Sequence, residues 1–172
     1  TTGTANTTIT ASGSGDTITV NADAMADNTT LDINGSATFS VSNLEANTDA
    51  SGTSGNVNLA YTDVSDNAAL ITTGTGATTV SGTTSGDTLT INATSLAQNT
   101  TLTASGDAQQ VVTNLVGDIS ATDLTGTLTV TTADAADNGI SITAGTNTTT
   151  ITASGGGDIV TVNAEQMADD TT

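Results

Sequence analysis

Three aspartates recur at a fixed interval. Asp16, Asp87 and Asp158 are equally spaced, at steps of 71, and each stands between a Gly-containing turn and an alternating run: GSGDTITV (13–20), TSGDTLTI (84–91) and GGGDIVTV (155–162). A carboxylate beside turn carbonyls is an oxygen-donor set, and the chemistry open to such donors is binding of a hard cation, with Ca²⁺ foremost. The competing reading is a plain turn, in which the carboxylate accepts backbone N–H groups. A second repeated cluster has the same two readings: Asp63 and Asp66 in TDVSDN, Asp134 and Asp137 in ADAADN.

Little other chemistry is open to the chain. It carries 18 acidic residues and no Lys, Arg, His or Cys, for a formal charge of −18. The common general bases and nucleophiles are missing, so no enzyme is expected. Paired carboxylates could serve glycoside hydrolysis only within a cleft, and one Phe and one Tyr give no sugar platform. Nucleic acid and anionic lipid are excluded as partners, because both need cations to neutralise phosphate. Disulfides and Cys/His zinc sites are excluded as well. Divalent cations remain.

The elements that position these aspartates belong to a repeat. Residues 1–30 and 143–172 match at 21 of 30 positions without a gap, at an offset of 142. Half that offset also works: Gly3, Gly74 and Gly145 align, as do Asn21, Asn92 and Asn163. The chain therefore divides into residues 1–71, residues 72–142 and the opening of a third copy at 143–172, all within one continuous stack. It begins at Thr1 without a signal peptide and stops in mid-repeat, which reads as a segment of a longer chain.

Within each copy, short alternating runs such as DTITV, TTLDIN and ATFSVS are separated by Gly, Asn, Asp and Ser. Thr and β-branched residues at period two point to half-buried strands, and the intervals to turns. NADAMADN (21–28) has room for one helical turn, and Asn34-Gly35 for a tight turn. Leu, Ile, Val and Phe together make up less than a fifth of the chain, while Thr alone makes up a quarter. That composition alone resembles disorder, but the repeat fits a thin core of small and β-branched residues. The expected fold is all-β, a parallel β-solenoid of the β-roll or β-helix kind built from 71-residue repeats. The alternative is a string of small β-sandwiches, which would need bulkier cores. Three coils of about 24 residues or four of about 18 would fill one repeat, and an odd strand count would complicate either.

The phrase around each repeated Asp resembles the RTX-type calcium-binding β-roll, whose Gly-rich nonapeptides place an Asp at the turn. That resemblance implies Ca²⁺ held by turn carbonyls and by Asp16, Asp87 and Asp158. The remaining phrases, among them SNLEANTDASGTSGNVNLAYTD (42–63) and TNLVGDISATDLTGTLTVTTAD (113–134), are similar to the Thr/Ala/Gly-rich β-strand repeats of giant bacterial surface proteins. This likeness covers essentially the whole chain. It implies a secreted, cell-surface protein: a structural repeat of a fibre, stalk or surface layer that self-associates or continues into further repeats without entering a membrane. The alternatives are a spacer or ligand-binding adhesion module of an RTX-type adhesin and, more remotely, an ice-binding solenoid suggested by Thr-x-Thr pairs such as Thr17/Thr19 and Thr88/Thr90. Asn-x-Ser/Thr tripeptides occur at Asn6, Asn28, Asn34, Asn92, Asn99 and Asn147, close to the number expected by chance in so Thr-rich a chain.

Overall fold

The computed structural model describes residues 1–62, 68–133, 139–154 and 159–168. Among these residues all regular structure is β. Eight strands form one sheet: β1 (Thr7–Ala11), β3 (Thr30–Gly35), β5 (Asn47–Asp49), β7 (Ala68–Thr72), β9 (Thr88–Asn92), β11 (Gln109–Leu115), β13 (Leu128–Thr132) and β15 (Thr149–Thr152). Eight form the other: β2 (Thr17–Asn21), β4 (Thr38–Leu44), β6 (Val57–Tyr61), β8 (Thr78–Gly82), β10 (Thr101–Gly106), β12 (Asp118–Leu124), β14 (Ile140–Thr143) and β16 (Val160–Asn163). We call these the odd and the even sheet. The chain passes from one to the other at every turn, and every strand pairing is parallel. This is the expected β-solenoid. Tandem sandwiches are excluded, because they would need antiparallel pairing and separate cores.

The coil count is neither three nor four per repeat. The strand that opens the first copy, β1, lies in the odd sheet; its equivalent in the second copy, β8, lies in the even sheet; the next equivalent, β15, is back in the odd sheet. Seven strands per copy make three and a half coils, so successive copies are related by a half-turn about the solenoid axis. At the ordinary strand spacing, one copy advances about 17 Å along that axis. Individual coils are unequal: Thr7 pairs with Leu31 and Leu31 in turn with Thr48, so the second of these coils is much the shorter. The turns absorb the difference.

Alternation sets what is buried. Leu31 and Ile33 in β3, Phe39 and Val41 in β4, Val57 and Leu59 in β6, and Leu89 and Ile91 in β9 all face the shared core. The intervening Thr, Ser and Asn residues face out. Ala22, Ala37, Ala46, Ala50, Ala93 and Ala108 fill the narrow flanks where coils turn, so the core is thin but continuous from coil to coil. Two asparagines adjust the phase. Asn43 and Asn114 adopt left-handed backbone (φ 55° in both), which inserts an extra outward residue and returns Leu44 and Leu115 to the interior. Gly35 and Gly106 form the preceding corner at φ 115° and 91°; a Cβ there would sit 2.0 Å from the Ala11 carbonyl or 2.1 Å from that of Gly82. The 21–28 segment forms tight turns rather than a helix, with N–H groups of Met25 and Thr29 donating to the carbonyls of Ala22 and Ala26.

Candidate cation recess and polar face

Asp16 and Asp87 occupy equivalent turns. Each N–H closes its turn, on the Gly13 carbonyl at 3.0 Å and on the Thr84 carbonyl at 3.3 Å. Each carbonyl then receives the next coil, from Thr38 N–H and from Gln109 N–H, both at 2.9 Å. Main-chain groups of both residues therefore close the turn and join it to the next coil. The structure does not bring the two aspartates together: Asp16 leads into the even sheet and Asp87 into the odd one, on opposite edges and three and a half coils apart. Asp63, Asp66, Asp134, Asp137 and Asp158 lie outside the described residues.

Their surroundings differ. The Asp16 carboxylate is exposed and folds back over Gly13, where a Cβ would meet Oδ2 at 2.0 Å. Asp87 is 2% exposed and borders an open recess of about 400 Å³ shared with Asp107, Gln109, Thr125 and Asn147. Asp107 accepts a hydrogen bond from the Thr125 hydroxyl. Two carboxylates with amide and hydroxyl oxygens are the donor types a hard cation takes. In the first copy the position of Asp107 is held by Ser36, so the second carboxylate belongs to the second copy alone. Among the described residues no three acidic side chains gather around one point. Sequence reading singled out Asp87 but missed Asp107. The only available signal was that Asp107 replaces Ser36, a short way past the repeated Asp, in the turn that the following coil stacks against it.

The repeated asparagines have a clearer structural role. Asn21, Asn92 and Asn163 each accept at Oδ1 from the N–H two residues on, those of Asp23, Thr94 and Glu165 at 3.1, 3.2 and 3.1 Å. Each fixes the start of the same turn. Asn43 and Asn114 donate from the adjacent coil to Asn21 and Asn92, which joins neighbouring coils through side chains.

The outer face of the even sheet carries a registered polar row. Thr19, Ser40, Asn58, Thr79, Thr103 and Ser120 pair strand to strand, and the row continues through Thr143 to Asn163. Unequal coil lengths do not break it. Comparisons with family models, with curated proteins and with solved structures return no match to this chain.

Proposed function

We propose that this chain is a non-catalytic structural repeat of an extracellular fibre, stalk or surface layer, extended by further copies of its own kind and stabilised by divalent cations, Ca²⁺ in particular. The supporting observation is the unbroken core that runs through copies related by a half-turn. Every coil covers the apolar side of the next, so a copy gains its stability from its neighbours and length adds stability. Eighteen uncompensated acidic residues keep lateral surfaces apart until cations bridge them. The RTX-like phrase at Asp16 and Asp87 supports the cation, as does the gathering of oxygen donors around Asp87 and Asp107.

The test is a series of chains carrying one, two and four copies, melted with Ca²⁺ and with a chelator. Melting temperature should rise with copy number and fall on chelation. A single copy as stable as four would refute the stacking argument, and an unchanged melting temperature in chelator would remove Ca²⁺. Antibodies to the folded chain should label intact cells of the organism that makes it; labelling only after lysis would refute the extracellular placement. The registered row from Thr19 to Asn163 favours one second reading, an ice-binding face. Absence of thermal hysteresis in concentrated solution would dismiss it.

A further inference from the structure

Six Asn-x-Ser/Thr tripeptides are chance in number, but the fold treats them unequally. N-linked glycosylation needs a reachable Asn amide and an uncommitted hydroxyl two residues on. In four tripeptides the Asn side chain and the hydroxyl two residues on both take part in hydrogen bonds, although Asn6 and Asn147 are exposed. Asn6 Oδ1 accepts from Thr30 N–H at 3.0 Å, and Thr8 donates to Asp32. Asn34 donates from Nδ2 to Asp32 at 2.8 Å, and the Ser36 hydroxyl donates to the Ser12 carbonyl. Asn92 accepts from the N–H and hydroxyl of its own Thr94. Asn147 donates to the Thr125 carbonyl, while Thr149 is turned back onto the Asn147 carbonyl.

Asn28 and Asn99 differ from these four and match each other. They are the same position in the two copies. Both are exposed and left-handed, at φ 60° and 58°. Among the described residues neither amide, and neither hydroxyl of Thr30 and Thr101, has a hydrogen-bond partner. Met25 and Leu96, buried at 4% and 2% exposure, anchor the two turns from beneath. We propose that Asn28 and Asn99 are acceptor sites for N-linked glycans, one in each full copy; the third copy has Asp170 at this position and carries no acceptor. Because Asn28 stands on the turn from the even to the odd sheet and Asn99 on the reverse turn, the glycans alternate between the two edges.

The donor is a sugar activated as a lipid pyrophosphate, and a membrane oligosaccharyltransferase is the catalyst. Asn Nδ2 attacks the anomeric carbon, and the N–C bond forms as the C–O bond to pyrophosphate breaks. The lipid pyrophosphate leaves with the electron pair, and the amide proton passes to a base on the transferase. No oxidation or reduction is involved. The modification occurs outside the cytoplasm, so in the cell it rests on the extracellular reading above.

The test has two arms. In the first, the folded chain is incubated with an oligosaccharyltransferase and a lipid-linked oligosaccharide, and Asp-directed peptides are weighed; a free peptide spanning residues 24–32 confirms that the enzyme accepts the sequence. Asn28 and Asn99 should react, Thr30→Val and Thr101→Val should each silence their own site, and Asn34 and Asn92 should react at least about tenfold more slowly, because each must first give up hydrogen bonds. Accepted free peptide with unreacted Asn28 and Asn99 in the folded chain overturns the proposal, as does equal reaction at Asn34 and Asn92. In the second arm the protein is taken from its source. Glycan on Asn28 and Asn99 supports the proposal, and bare residues on a surface-labelled protein overturn it. Bare residues on a protein confined to the cytoplasm refute the extracellular reading and the modification in the cell, and leave the acceptor geometry standing on the first arm.

Discussion

Tyr61 offers a measurement that few proteins allow. It is the one tyrosine in a chain without Lys, Arg, Cys or His. From about pH 9 to about pH 12 its phenol is therefore the one side chain that changes charge. Tyr61 is fully buried, and its hydroxyl meets the buried Thr48 hydroxyl at 2.8 Å. Burial pushes the phenol well above its ordinary value of 10.0, and the Thr48 hydrogen bond only partly opposes this. The folded state thus favours the neutral phenol more than the unfolded state does. That contribution is complete below about pH 10 and is lost as pH rises further, because the unfolded chain ionises first. While the native phenol stays neutral, the loss is about 1.4 kcal/mol per pH unit, or a few kcal/mol by about pH 12. Urea midpoints across this range, with tyrosinate absorbance read alongside, would measure it. Tyr61→Phe should begin about 1–2 kcal/mol less stable at neutral pH, since Thr48 loses its partner. Its stability should then stay flat with pH, so that the two curves cross near about pH 11. A Phe variant that loses stability as steeply as the parent, or tyrosinate appearing in the native protein at about pH 10, would refute the reasoning.

Three further outcomes are expected. Thr48→Val should cost about 1–3 kcal/mol by stranding the Tyr61 hydroxyl, and Thr48→Val with Tyr61→Phe should cost less than the two singles together, as a double-mutant cycle in urea would measure. Phe39→Ala should cost about 3–5 kcal/mol, because Phe39 is fully buried between strands that cannot close over the void. Gly106→Ala should cost at least about 2 kcal/mol from its left-handed backbone and the Gly82 carbonyl behind it, whereas Gly3→Ala, with nothing within 4 Å, should stay within about 0.5 kcal/mol in the same thermal melts.

Much of this fold is legible in the sequence because strand and turn signals are local. Ile9, Val20, Ile33, Val41 and Leu59 alternate with Thr, Ser and Asn, and each falls inward. The coil count was not legible. Apolar spacing says where strands lie but not which sheet receives each one, and the short strand Asn47–Asp49 has no large apolar residue to announce it. The candidate site was legible by half. Asp16 and Asp87 have the same neighbours in sequence, yet one is exposed and the other buried. What separates them is place in the stack: Asp16 joins the edge strands β1 and β2 and has a coil on one side, whereas Asp87 joins β8 and β9, which have strands on both sides.

The same dependence on stacked neighbours explains how two copies of a thin core can differ in large residues. Buried Thr48 and Tyr61 in the first copy correspond to Ile119 and Thr132 in the second, so one position grows as the other shrinks. Ile33 and Thr53, linked by the Thr53 hydroxyl on the Ile33 carbonyl at 2.7 Å, correspond to Ala104 and Leu124, again exchanging bulk. Phe39 corresponds to Gln110, whose Nε2 reaches the carbonyls of Val80 and Ser105 at 3.3 and 3.1 Å, while its Oε1 is buried without a partner. Volume is conserved locally because close packing penalises voids and overlaps alike. The half-turn makes such exchange possible. Two parallel sheets that face each other present equivalent interiors, so a strand packs as well in one as in the other. A unit of seven strands then adds to the stack without adjustment, and each added copy carries its aspartates to the edge opposite the last. The repeated aspartates are thereby shared between the two edges of the solenoid rather than gathered on one.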